Sequence, residues 1–202
     1  MRANLPTALK NLTDRLAELP SIGPRQAMRL AFYLVQKGAD NIRGLAEDID
    51  ELRQIKICER CFFVHQNKDS ICDICKNPSR LQNLIMVVEK ETDLISLENT
   101  GRFTGRYFIL GLIPKTGLLS EAQKLRLQNL KSFIQKLPEG KAEEIILAFN
   151  PSSIGDFHAA LITKELQPSA KKISRLGRGL PTGGEIEFAD DETLGSALER
   201  RL

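Results

Sequence analysis

All four cysteines of this 202-residue chain lie between residues 58 and 75, in the stretch CERCFFVHQNKDSICDIC. The spacing is C-x2-C-x10-C-x2-C, so Cys58 and Cys61 form one pair and Cys72 and Cys75 another. Each pair can present two sulfurs to one side of a small ion, and the short loop between them can fold the two pairs into a tetrahedron of thiolates. Zinc suits that donor set best. An iron-sulfur cluster uses the same ligands and is the less common choice in such a knuckle. Structural disulfides are disfavoured in a reducing compartment, and thioredoxin-like exchange needs only one C-x-x-C pair. A closed four-sulfur shell leaves no position for water or substrate, so the expected single ion holds structure and does no chemistry. His65 lies inside the loop and reads as a polar loop residue, since four cysteines complete the shell without it. Asn67, Lys68, Asp69 and Ser70 are turn formers that cannot build a core unaided.

A second candidate lies upstream, in LPSIGPRQAMRLAFYLV. Leu9, Leu12, Leu16 and Leu19 recur at helical spacing and predict a helix from about Thr7 to Glu18. Pro20, Ser21 and Gly23 interrupt it, Pro24 suits the first position of a second helix, and Ala27, Leu30, Ala31 and Leu34 supply that helix's buried stripe. Gly23 allows a phosphate to approach the backbone, and the unpaired N–H groups opening the second helix offer it partial positive charge. Arg25 and Arg29 share one helical face. Such a turn can grip a nucleic-acid backbone without reading bases. The competing reading is an ordinary helical hairpin with solvated arginines. Ile42, Leu45, Ile49 and Leu52 predict a third amphipathic helix that closes this module.

From about residue 81, apolar runs alternate with helical stretches: LIMVV, RYFILGL, SEAQKLRLQNLKSFIQKL, EIILAF, DFHAALITKEL and KKISRL. That alternation predicts an α/β unit with a largely parallel sheet, whose working edge lies at the carboxyl ends of its strands. Glu89 and Asp156 fall at that edge. They could bind magnesium, or they are a solvated Glu and a helix-capping Asp, the reading that the small number of acids favours. His158 and the tyrosines, Tyr33 and Tyr107, read as packing residues. GLIPKTG is no P-loop, because G-x-x-x-x-G-K-[ST] occurs nowhere. The last stretch predicts a Gly-rich loop flanked by Arg175 and Arg178, a strand at EIEF and a short helix from Asp191.

The formal charge of +3 does not by itself indicate a polyanionic partner. No stretch approaches the roughly 20 apolar residues that span a bilayer, and the first residues lack the apolar centre of a signal peptide, so a cytoplasmic protein without a membrane partner is expected.

The order of these parts, LPSIGPRQAMRLAF, then the cysteine knuckle with ICDIC-x-x-P-S-R, a VVE-containing α/β segment, and R-x-G-R-G-L-P-x-G-G-E-I-E-F-A-D, resembles the bacterial RecR family of recombination mediators over nearly the whole chain. The resemblance implies a multidomain α/β protein. Its parts would be a helix-hairpin-helix module over 1–55, a four-cysteine zinc finger over 56–80, a Toprim domain over 81–177 and a carboxyl-terminal strand-helix arm over 178–202. It implies zinc at Cys58, Cys61, Cys72 and Cys75, DNA contact by Ile22, Gly23, Arg25 and Arg29, and Toprim acids at Glu89 and Asp156. Such proteins are not enzymes. They are similar in forming dimers or tetrameric rings that clamp DNA, and in acting with RecO, and in some settings RecF, to load RecA onto single-stranded DNA during repair at the nucleoid. Ile154 stands where a Glu is usual in the family, and YFILGLIPKTGLLSEAQ lacks the family's double glycine and Ser-Pro segment. Both departures argue against the alternative, a metal-dependent Toprim enzyme acting on DNA strands. A zinc-stabilised scaffold that binds only proteins is a third reading.

Overall fold

The computed structural model describes residues 5–199, so the first four residues of the expected helical module and the last three of the expected arm lie outside the described residues. The chain forms two compact units, residues 1–55 and 56–202.

The first unit is helical: α1 (Thr7–Ala17), α2 (Pro24–Lys37) and α3 (Ala39–Glu51), the last continuing into a 3-10 turn at Leu52–Gln54. Helix α2 buries Ala27 and Ala31, and α1 buries Leu9 and Thr13. Small side chains on α2 let the two helices approach closely, and the Thr13 hydroxyl is satisfied by donating to the Leu9 carbonyl at 2.8 Å. The third helix forms where its periodicity predicts, but it buries no residue. Ile42, Leu45, Ile49 and Leu52 are 43, 42, 57 and 64 % exposed, where a buried stripe was expected. A unit of this size has too little interior to cover a second apolar face. Tyr33, expected to pack, is also exposed, because it stands two residues from Ala31 and therefore off the buried side of α2.

The second unit starts with the knuckle. A two-stranded antiparallel ladder, β1 (Lys56–Ile57) with β2 (Val64–His65), precedes the short helix α4 (Asp73–Lys76). Then follow β3 (Leu84–Val88), α5 (Glu91–Glu98), β4 (Arg106–Ile109), α6 (Glu121–Gln135), β5 (Ala142–Ala148), α7 (Ser153–Leu166) and β6 (Ala170–Arg175). These four strands form one parallel sheet in the order β4-β3-β5-β6. Near-continuous apolar runs such as LIMVV follow from that arrangement, because a parallel sheet is covered on both faces. Ile85 and Val87 point to the face packed by Leu127, Leu130 and Ile134 of α6 and by Ala159, Ile162 and Leu166 of α7. Met86 and Val88 point the other way, toward Leu94 of α5 and the knuckle residues Phe62, Phe63 and Ile74. Each fully buried aliphatic side chain contributes roughly 1.5–3 kcal/mol.

After β6 the chain runs through the Gly-rich loop into α8 (Asp191–Glu199). The strand expected at EIEF is instead a 3-10 turn at Ile186–Phe188. Its alternating pattern suits a strand, yet no neighbouring strand pairs with it among the described residues, and Ile186 and Phe188 stay 68 and 79 % exposed. Without a ladder partner, extended backbone there has nothing to hold it.

Candidate metal centre and nucleic-acid interface

The knuckle brings Cys58, Cys61, Cys72 and Cys75 together, all buried and with their sulfurs within 4.8 Å of one another. Cys61 Sγ and Cys72 Sγ are 3.4 Å apart, far beyond a disulfide bond. Metal–sulfur bonds of about 2.3 Å arranged as a tetrahedron place sulfurs roughly 3.8 Å apart, so the donors fit one ion of that kind. Local backbone explains the convergence. The Cys58 N–H donates to the Phe63 carbonyl at 2.8 Å and the Glu59 N–H to that of Ser70 at 3.0 Å, closing the loop, while the Cys72 N–H donates to Cys58 Sγ at 3.3 Å. An N–H aimed at sulfur favours thiolate. Crowding divides the thiols: hydrogen bonds from Cys61 and then Cys72 hold Cys58 well below the usual thiol range, whereas the same contact with Cys58 pushes Cys61 upward. One cation in place of the thiol protons would satisfy all four crowded sulfurs at once. His65, read from sequence as a polar loop residue, is buried at the end of β2, and its Nδ1 accepts from the Asn67 N–H at 3.1 Å. It is not one of the grouped ligands.

The hairpin between α1 and α2 is built around Ile22 and Gly23. The left-handed backbone position belongs to Ser21 (φ 65°), and Gly23 is extended. A Cβ on Gly23 would meet nothing within 4 Å, so internal packing does not require glycine there. The first N–H used inside the turn of α2 is that of Ala27, which donates to the Gly23 carbonyl at 2.9 Å. Pro24 has no N–H, which leaves those of Arg25 and Gln26 open at the helix start. Arg25 and Arg29 are exposed, and neither has an ion-pair partner among the described residues. Ile22 is half-buried and anchors the turn, its N–H donating to the Leu19 carbonyl at 3.1 Å. The geometry is that of an open helix start beside two arginines that have no ion-pair partner among the described residues, an arrangement able to receive an anion.

At the carboxyl edge of the sheet, Glu89 follows β3 directly and is 6 % exposed, which removes the expectation of a solvated Glu. Its Oε1 accepts from the Ile113 N–H at 3.4 Å and lies 3.1 Å from His158 Nδ1. The other ring nitrogen of His158 lies 3.1 Å from the Pro114 carbonyl. His158, read from sequence as a packing residue, is therefore the group that ties α7 to Glu89 and to the loop after β4. Sixty-nine positions separate the pair, and no local pattern announces it.

Asp156 sits in the first turn of α7 but does not cap it: Ser152 does, accepting from the Gly155 N–H at 3.2 Å. Gly155 is required there, because a Cβ would lie 1.9 Å from the Asn150 carbonyl oxygen. Asp156 instead pairs with Arg175 and Arg178, and the hydrogen bond from Arg175 holds its carboxyl below the usual range. Arg178 pairs in turn with Glu192 of α8. Glu89 and Asp156 thus each have protein partners, and among the described residues the only group of three or more metal-ligating side chains is the cysteine set.

A helical hairpin, a four-sulfur knuckle and a parallel sheet with the buried Glu89 after β3 point to a protein of the DNA-transaction class. Comparison with family models matches residues 9–53 to "RecR, helix-hairpin-helix", residues 83–177 to "Toprim domain" and residues 179–201 to "RecR, C-terminal". Recombination protein RecR of Chloroflexus aggregans is 40 % identical over 193 residues, covering 94 % of this chain and 91 % of that protein. The namesake proteins of Roseiflexus castenholzii and Dehalococcoides mccartyi are 38 and 39 % identical, over 98 and 96 % of this chain and 94 and 93 % of their own. The chain belongs to the RecR family.

Proposed function

We propose that this protein is a non-enzymatic, DNA-binding recombination mediator that assembles into a ring or clamp. It would act with RecO, and where present RecF, to load RecA onto single-stranded DNA in recombinational repair. We further assign its parts as a hairpin module over 1–55, a zinc finger over 56–80, a Toprim domain over 81–177 and an arm over 178–202.

The observation that carries the DNA assignment is the open start of α2, where free N–H groups, Arg25 and Arg29 lie together without a partner among the described residues. Ile22 and Gly23 shape that turn. The exposed stripe Ile42, Leu45, Ile49 and Leu52 supports self-association, since apolar surface in a row favours burial against another copy. A ring would gather a small charge per protomer into a strong field at a shared hole. Zinc is the ion that best fits four buried thiolates, one per chain, in a structural role. Glu89 and Asp156 are held by His158 and by two arginines, which supports a positioning role for these acids over strand chemistry. Among the described residues, no helix is long and apolar enough to cross a membrane.

The test is fluorescence anisotropy on single-stranded oligonucleotides of several sequences across a salt series. Arg25→Ala combined with Arg29→Ala should weaken binding uniformly across sequences and reduce the log–log salt slope by roughly 1.4, at about 0.7 per lost phosphate contact. Unchanged affinity at every salt concentration would remove the hairpin from the DNA interface.

A further inference from the structure

Arg106 opens β4 and is 7 % exposed, the one buried Arg or Lys among the described residues. Its Nε donates to Gln82 Oε1, and its guanidinium lies 5.3 Å from the centre of the Phe133 ring. Both contacts are with neutral groups. No carboxylate pairs with it among the described residues, although a buried cation without an anion is strongly disfavoured. What shares its small cleft is Cys75 of the knuckle, together with Arg60 and Tyr107.

We propose that the metal-loaded knuckle is the counterion of Arg106. This rests on the reading of the cysteine cluster as a metal centre. Four thiolates around one dication leave two negative charges uncompensated, held on sulfurs that are themselves buried. The buried Arg106 guanidinium and the exposed Arg60, which line the same cleft as Cys75, offset that excess.

The same junction is mechanical. β4 is an edge strand, and its Ile109 N–H donates outward to the Cys61 carbonyl at 2.9 Å. Phe62, directly after Cys61, packs edge-on against Phe108 of β4 with ring centres 5.4 Å apart. Charge and backbone therefore join the ion to the sheet at the same place: loading with a divalent ion fixes the outer strand, and loss of that ion strands Arg106 without compensation.

The full chain is titrated with Zn2+ against a chromophoric chelator. Arg106→Met should weaken Zn2+ about tenfold or more, as loss of groups surrounding the ligands does elsewhere, while Arg106→Lys, which keeps the charge, should lose much less. Substitution of Co2+ separates this proposal from its premise. Absence of thiolate charge-transfer absorption in the parent chain would show that no such metal centre exists. With that absorption present, equal Zn2+ affinity in parent and Arg106→Met would overturn the counterion assignment alone. A charge-specific readout is the Fe3+/Fe2+ potential of the iron-loaded chain, which should fall in Arg106→Met and stay near the parent value in Arg106→Lys. A potential that does not move in Arg106→Met also overturns the assignment. If Arg106→Met does not fold, the exposed Arg60→Gln takes its place: a loss of about threefold in Zn2+ affinity supports the proposal and no loss contradicts it, on the same charge argument.

Discussion

Glu89 and His158 meet at 3.1 Å inside the sheet's carboxyl edge, both almost fully buried. The contact joins β3 to α7 and, through the Pro114 carbonyl, pins the loop that follows β4. Removing one member leaves the other buried without its partner. His158→Ala should therefore lower the unfolding free energy by about 3 kcal/mol, the order expected when one half of a buried polar pair is deleted. Urea denaturation measures it. A loss below about 1 kcal/mol, the value of an ordinary surface contact, would show that the pair carries little.

Protons compete with a metal ion for four thiolates, so the knuckle should release Zn2+ as pH falls and not as it rises. Cys72→Ser should lose the ion at a higher pH than the parent and expose residues 56–80 to limited proteolysis. Metal analysis after dialysis at a series of pH values checks both. Retention of stoichiometric metal by Cys72→Ser at low pH would contradict a four-sulfur shell.

Asp156 holds Arg175 and Arg178, and Arg178 also reaches Glu192 on α8. Because the folded carboxyl titrates below its ordinary value, this tie is complete above about pH 4 and weakens as pH falls through the lowered value. Asp156→Asn should mimic that acid state at neutral pH. Faster protease cleavage within residues 176–185 is the expected outcome, with little change in overall stability because the group is well exposed to solvent screening. Cleavage rates matching the parent would mean that the arm is held by other contacts.

The parts that sequence made legible are those whose logic is local. Cysteine spacing announces the four-sulfur cluster because all its members lie within one short loop, and LIMVV names a buried strand because parallel sheets are apolar on both faces. The hairpin was legible for the same reason: Gly23 and Pro24 mark the turn, and Arg25 and Arg29 follow within the next five residues on α2. Glu89 was misread as solvated because its partner lies on a helix far along the chain. Periodicity showed that Ile42, Leu45, Ile49 and Leu52 share a face but not that nothing within the described residues covers it. EIEF alternates like a strand, yet a strand is defined by a neighbour, and no pattern within four residues can reveal that one is missing.

The exposed α3 face makes a further prediction. Leu45→Glu with Ile49→Glu should shift the protein toward smaller species in sedimentation velocity while leaving the helical fold intact by circular dichroism. An unchanged distribution would place self-association elsewhere.

The central claim is that several copies, each rigidified by one ion, surround a nucleic acid. Native mass spectrometry of the full chain with a single-stranded oligonucleotide tests it in one spectrum. The account predicts an assembly of more than one chain, one zinc per chain and a bound oligonucleotide. A single chain at every concentration, with no oligonucleotide attached even in dilute buffer, would contradict it.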